Sequence, residues 1–203
     1  MSFHPRMEYA PLTFQKSERK LADAGEVFAY TPENQRAFDE NVARYPADQR
    51  KSAIIFALYL AQNQNGGYLT GAAMRHVAEQ IRCTPAEVED VVTYYTMFYT
   101  KPVGKYVINV CRTLSCALRG AERVTEEVAA RLGVKPGETT ADGQFTLMEV
   151  ECLGACDRAP VVMVNDTHWQ ERLAPEQAGR LIDDLKARGL AAVSGCYLRV
   201  EKT

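Results

Sequence analysis

Apolar residues recur along this chain first at a helical period and then at a strand period, and the change falls near residue 101. Residues 1–30 precede both. Charge, proline and isolated aromatics (Phe3, Tyr9, Phe14, Phe28) follow one another there without a period, which predicts an extended arm. Thr31 with Pro32 behind it is a helix start, because proline at the first helical position has its φ preset and no N–H to leave unpaired. Phe38, Val42 and Tyr45 then recur at i, i+4, i+7 before Pro46. A second helix is expected from Asp48 to Gln64. Its Ile54, Ile55, Phe56, Leu58, Tyr59 and Leu60 cover most of the circumference, so neighbours must surround it, and Gly66-Gly67 ends it. Met74, Val77, Ala78 and Ile81 mark a third helix. Thr84-Pro85-Ala86-Glu87 is a capping box that opens a fourth, continued by Val88, Val91, Val92, Tyr95 and Tyr99. Four helices on short turns predict a small bundle over residues 31–100.

After Lys101-Pro102-Val103-Gly104, which reads as a domain boundary, Tyr106 to Val110 is a β-branched run that delivers Cys111. Leu118 to Leu132 reads as a helix with Ala121, Val124, Val128 and Leu132 on one face. Lys135 to Gly143 reads as a polar loop, and Phe145 to Val150 as a second strand ending just before Cys152. Pro160 opens a third strand, Val161 to Val164, and Asn165-Asp166 is a tight turn into a return strand around His168 to Leu173. The last helix, Pro175 to Arg188, carries Ala178, Leu181, Ile182 and Leu185 at core spacing, with Ala174 where Ser or Thr would cap better. The order over 101–189 is β-α-β and then β-β-α. The expected fold class is therefore α/β, an N-terminal helical bundle followed by a domain of thioredoxin-like arrangement, with residues 190–203 as a C-terminal tail.

A chain of 203 residues buries roughly two thirds of its unfolded surface, so no metal is needed merely to supply a core. The formal net charge of -2, with acidic and basic residues interspersed, leaves no basic stripe and argues against nucleic acid or anionic lipid as a partner. The first thirty residues lack a positive segment followed by an apolar stretch. Cytoplasmic, reducing surroundings are expected, and the six cysteines are then not a secreted disulfide framework. The most apolar run, Ala53 to Ala61, is about half a bilayer span, so membrane insertion is not expected.

Four of those cysteines carry the candidate chemistry: Cys111, Cys116, Cys152 and Cys156 form C-x4-C, thirty-five intervening residues, and C-x3-C. In a β-α-β unit with parallel strands, both strands present their C-terminal ends at one sheet edge, so the four thiols can converge. The N-terminus of the following helix, with its unpaired amides, suits an anion there. Gly154 lets the backbone approach closely and turn through positive φ. Four thiolates at such an edge fit a [2Fe-2S] cluster, and on spacing alone they also fit a structural zinc ion. A dithiol redox pair fits less well, because neither pair is C-x-x-C.

The flanking residues carry a resemblance. C-R-T-L-S-C-A-L-R-G at 111–120, E-C-L-G-A-C-D-R-A-P at 151–160 and V-N-D at 164–166, in that order, resemble the thioredoxin-like [2Fe-2S] subunit family of the NADH dehydrogenase module of respiratory complex I. The resemblance spans roughly 32–189, bundle included. It implies a thioredoxin-like [2Fe-2S] ferredoxin domain in which Cys111, Cys116, Cys152 and Cys156 ligate one [2Fe-2S] cluster. That cluster would exchange electrons with the FMN of a partner subunit, which also binds NADH. It further implies that the chain is part of an NADH:quinone oxidoreductase, peripheral on the cytoplasmic side of the inner membrane, with the large iron-sulfur subunit as a second neighbour. The sequence agrees in having no G-x-G-x-x-G after a strand and no P-loop. Related subunits serve NAD-linked hydrogenases and formate dehydrogenases, which is the first alternative. A zinc-stabilised interaction module with no redox role is the second.

The remaining candidates read as bystanders or modifiers. Cys83 and Cys196 are expected to be ordinary thiols, His76 and His168 packing or surface residues, and Tyr94, Tyr95, Phe98 and Tyr99 core or interface. Arg112 and Arg158 are expected to favour the reduced centre. A guanidinium about 6 Å away contributes about 3 kcal/mol at an effective dielectric of ~20, or roughly 130 mV. Pro160 stands where thioredoxin-like folds keep a cis-proline.

Overall fold

The structure is a computed structural model and describes residues 27–193. Most of the expected arm (1–26) and most of the tail (194–203, with Cys196) lie outside the described residues. Of the arm, the last residues belong to the bundle: Tyr30 is buried and its hydroxyl donates to the Ala57 carbonyl at 2.7 Å.

Helix α1 (Pro32–Val42) starts on Thr31, whose side chain accepts from the Asn34 amide, and it buries Phe38. The expected helix over 48–64 is split. Ala47–Ala53 is a 3-10 segment with a kink at Gln49, and α2 (Ile54–Gln64) begins after it. Asp48 through Ser52 offer no apolar stripe to hold an α-helical turn. Their side chains are taken instead by other elements, Arg50 donating to the Gln80 carbonyl and Lys51 pairing with Glu87. Helix α3 (Gly71–Ile81) is capped by Thr70 and ends on Arg82 in the left-handed region. The capping box of α4 (Pro85–Tyr94) is formed as expected by Thr84 and Glu87.

Helix α4 stops at Tyr94, short of Tyr99, and the reason is the buried Gln62. Its amide donates to the Met97 carbonyl (3.0 Å) and accepts from the Tyr99 amide (2.9 Å), while Leu69 N–H donates to the Tyr99 carbonyl (2.7 Å). Residues 97–99 thereby find extended-chain partners that outbid another helical turn. Phe98 is buried, Tyr95 and Tyr99 are half-buried, and Tyr94 stands 79% exposed.

The sheet has the order β2-β1-β3-β4. Strands β1 (Tyr106–Cys111) and β2 (Phe145–Val150) pair in parallel, with Cys111 opposite Val150. Strands β3 (Val162–Val164) and β4 (His168–Gln170) complete an antiparallel hairpin against β1. Tyr106, Ile108 and Val110 of β1 share one buried cluster with Phe145, Leu147, Val162 and Val164. Val124 and Val128 of α6 (Ala121–Leu132) and Ile182 and Leu185 of α7 (Pro175–Arg188) complete it. The bundle has its own buried cluster around Phe38, Leu58, Val77 and Val88. The expected helix over 118–132 starts only at Ala121, as α6, and a separate short helix, α5 (Leu114–Leu118), precedes it; Gly120, with φ of 91°, separates the two. After α7 the chain stays in contact, and Val193 is buried in the sheet-side cluster.

The V-N-D segment has a definite structural task. Asn165 (φ 51°) and Asp166 (φ 54°) form the left-handed pair of the β3–β4 turn, a conformation that Asn and Asp tolerate best after glycine. The Asn165 side chain accepts from the Val107 amide at 2.8 Å and donates to the Lys105 carbonyl at 3.0 Å. It thereby extends the ladder beyond the end of β3. Asp166 folds inward and accepts from the Asn109 amide group at 3.0 Å.

Candidate metal centre

Because β1 and β2 run in parallel and in register to their C-terminal ends, the two cysteine pairs emerge at one edge. Cys111 is the last residue of β1, and its N–H donates to the Val161 carbonyl at 3.1 Å. Arg112 N–H donates to the Val150 carbonyl at 3.0 Å. Helix α5 then carries Cys116 inward. Both cysteines of this first pair are 1% exposed. Cys152 and Cys156 of the second pair, on the loop after β2, are exposed, with their sulfurs 3.3 Å apart. All four are free thiols. The helix expected to follow the loop between Cys111 and Cys116 begins at Leu114, as α5, but it is only five residues long and contains Cys116 itself.

Hydrogen-bond donors converge on the sulfurs. The Thr113 hydroxyl lies 3.2 Å from Cys111 Sγ, and the Gly154 amide donates to Cys152 Sγ at 3.4 Å. Burial works against ionisation of Cys111. The Thr113 hydroxyl and amide, the Leu153 amide and the Cys116 thiol outweigh it and hold the thiol below its ordinary pKa. Cys116 moves the other way, raised by burial and by Cys111. In the second pair the Gly154 amide and Cys156 lower Cys152, while the hydrogen bond and charge of Cys152 raise Cys156. Each pair thus offers one sulfur that ionises readily.

Gly154 adopts φ 80° and has open space where a Cβ would stand, so it is the left-handed turn that requires glycine there. The loop is further held by Trp169, whose indole N–H donates to the Leu153 carbonyl at 3.3 Å. The Ala159–Pro160 peptide is cis, as its position suggests. Leu114 and Leu118, on either side of Cys116 in α5, are 75% and 78% exposed and form an apolar lip beside the thiols.

The two arginines are not the isolated cations that the sequence suggests. Arg112 pairs with Glu151 at 2.9 Å, and Arg158 with Glu171 at 2.7 Å and with Asp157 at 3.5 Å. What faces the centre is therefore the field of ion pairs, far smaller than the ~3 kcal/mol of a lone guanidinium. His76 lies in the bundle against Phe28 and Tyr30, accepting from the Tyr30 amide at 3.4 Å. His168 shares a hydrogen bond with the Thr167 hydroxyl. Cys83 is half-buried just ahead of the Thr84 cap, where burial and Glu87 raise its pKa.

The chemistry of this donor set, four thiols in two pairs with amides and hydroxyls aimed at sulfur, fits an anionic, sulfur-rich centre. Among the described residues no three His, Cys, Asp or Glu side chains are gathered around the position of one metal ion.

Comparison with known proteins agrees with this geometry. The profile of the thioredoxin-like [2Fe-2S] ferredoxin family matches residues 38–186. An NADH-quinone oxidoreductase subunit of Rickettsia conorii is 43% identical over 159 residues, 78% of this chain and 95% of that one. The mitochondrial NADH dehydrogenase [ubiquinone] flavoprotein 2 of Dictyostelium discoideum is 40% identical over 159 residues, 78% of this chain and 64% of that one. In fold the chain is similar to part of an NAD+-reducing [NiFe]-hydrogenase, with a TM-score of 0.57 at 22% identity. That match covers 67% of this chain and only 22% of the hydrogenase chain. The chain belongs to the thioredoxin-like [2Fe-2S] ferredoxin family, in the branch formed by these NADH-quinone oxidoreductase subunits. Membership implies one [2Fe-2S] cluster.

Proposed function

We propose that Cys111, Cys116, Cys152 and Cys156 ligate one [2Fe-2S] cluster and that the chain is the one-electron carrier subunit of an NADH:quinone oxidoreductase. The observation that carries this reading is the convergence of two thiol pairs at one sheet edge in a chain whose relatives are NADH-quinone oxidoreductase subunits. Bound there, the cluster supplies reversible uptake of a single electron. The chain's own residues provide the rest. Thr113, Leu153, Gly154 and Val161 donate to the sulfurs, the first pair lies out of water, and the second pair opens to the surface. The partner in this reading is the FMN- and NADH-binding subunit. The bundle, the N-terminal arm and the exposed Leu114 and Leu118 dock on it, and the large iron-sulfur subunit stands nearby. The assembly sits peripherally on the cytoplasmic side of the membrane. No helix among the described residues is long and apolar enough to cross a bilayer.

Iron and acid-labile sulfide assays on anaerobically purified protein, with electron paramagnetic resonance of the reduced form, test the ligand set. The expected outcome is two irons and two sulfides per chain, lost on Cys152→Ala and kept on Cys83→Ser. Zinc without sulfide would refute the reading. The fold likeness to the hydrogenase chain favours, as a second reading, the equivalent subunit of an NAD-linked hydrogenase. Co-purification with a nickel-bearing subunit instead of quinone-reducing activity would select it.

A further inference from the structure

We propose that the Thr113 hydroxyl, through its hydrogen bond to Cys111 Sγ, is a positioning group that raises the reduction potential of the centre the four cysteines hold; this rests on the four cysteines being its ligands. Thr113 occupies the N-cap position of α5 in an extended conformation (φ -74°, ψ 169°). From there a threonine ordinarily accepts from an amide two or three residues on, yet it makes no such bond. Its oxygen is turned instead to sulfur, 3.2 Å from Cys111 Sγ.

The half-buried Thr113 hydroxyl has sulfur as its partner, and on a thiolate it can act only as the donor. One-electron reduction of a [2Fe-2S] centre makes no bond and breaks none. The electron, supplied by the redox partner, takes one ferric ion to ferrous and increases the negative charge shared by the sulfurs. A donor already aimed at those sulfurs strengthens with that charge, so it stabilises the reduced form more than the oxidised one. Since the hydroxyl does not cap α5, removing it takes away the sulfur bond without taking away a helix cap.

The test is a redox titration, followed by electron paramagnetic resonance, of the full cluster-bearing chain in three forms: parent, Thr113→Val and Thr113→Ser. Valine keeps the shape and lacks the O–H; serine restores it. Thr113→Val is expected to lower the equilibrium constant for reduction about tenfold, which is ~59 mV for one electron, and Thr113→Ser to stay near the parent. A change below about twofold, ~18 mV, in a fully loaded Thr113→Val overturns the proposal. So does a cluster that fails to load in Thr113→Val yet loads in Thr113→Ser, because the hydroxyl then serves assembly and not potential. Failure of the ligand assignment itself would appear separately, as absence of iron and sulfide from the parent.

Discussion

Replacing Asp166 by asparagine is expected to stabilise the protein at neutral pH and to flatten part of its pH dependence. The Asp166 carboxyl sits at the tip of the β3–β4 turn, folded under the bundle. It accepts from Asn109, and its charge adds to burial in raising the pKa of the Tyr59 and Tyr99 phenols. Burial lifts its own pKa from 3.8 to about 6, against the smaller, opposite pull of the Asn109 hydrogen bond. The fold therefore favours the protonated acid. Its contribution is complete below the unfolded value of 3.8, falls as pH rises, and is lost once pH passes about 7. A shift of about two units corresponds to about 3 kcal/mol, which solvent reaching the half-buried carboxyl trims to about 2 kcal/mol. Asparagine removes the charge, keeps an acceptor for Asn109, and tolerates the φ of 54°. Urea unfolding of the cluster-bearing chain, followed by circular dichroism, measures the gain of the variant over the parent. That gain should be larger near pH 8 than near pH 5 by about 1 kcal/mol. A gain that is the same at both pH values would refute the account.

Two further substitutions probe the frame and the field of the site. A Cβ on Gly104 would stand 2.6 Å from the Phe145 carbonyl carbon and 2.7 Å from its nitrogen, and backbone cannot step aside as a flexible side chain can. Gly104→Ala should cost about 2 kcal/mol, lowering Tm by about 4–8 °C, and an unchanged Tm would show that the β1–β2 entrance yields. Glu151→Gln frees the exposed Arg112 from its partner and should raise the reduction potential by less than about 40 mV. The double variant with Arg112→Gln should return to the parent value, and a fall in Glu151→Gln would count against the field of the ion pair.

The strands, the last helix and the four thiols at one edge were legible because they rest on local signals: β-branched runs, core spacing and a repeated cysteine pair. What escaped was decided by single polar side chains acting over long sequence distances. Gln62 ends α4 by pairing with Met97 and Tyr99, thirty-five and thirty-seven residues away, and no period in α4 announces that. The 3-10 segment before α2 follows from Arg50 and Lys51 finding partners on other elements. Arg112 and Arg158 could be located from the sequence but not their carboxylate partners, so their charge was overcounted. Thr113 was visible only as a letter within C-R-T-L-S-C; its role depends on a hydroxyl turned away from the helix it precedes.

With the four cysteines as the ligands proposed above, the unequal burial of the two thiol pairs gives the site an inner and an outer half. Cys111 and Cys116 are held by a strand in register and by a packed helix, a rigid half-socket that exists before anything is placed in it. Cys152 and Cys156 ride on an exposed segment that turns at Gly154. Oxidants and chelators would then meet the outer pair first.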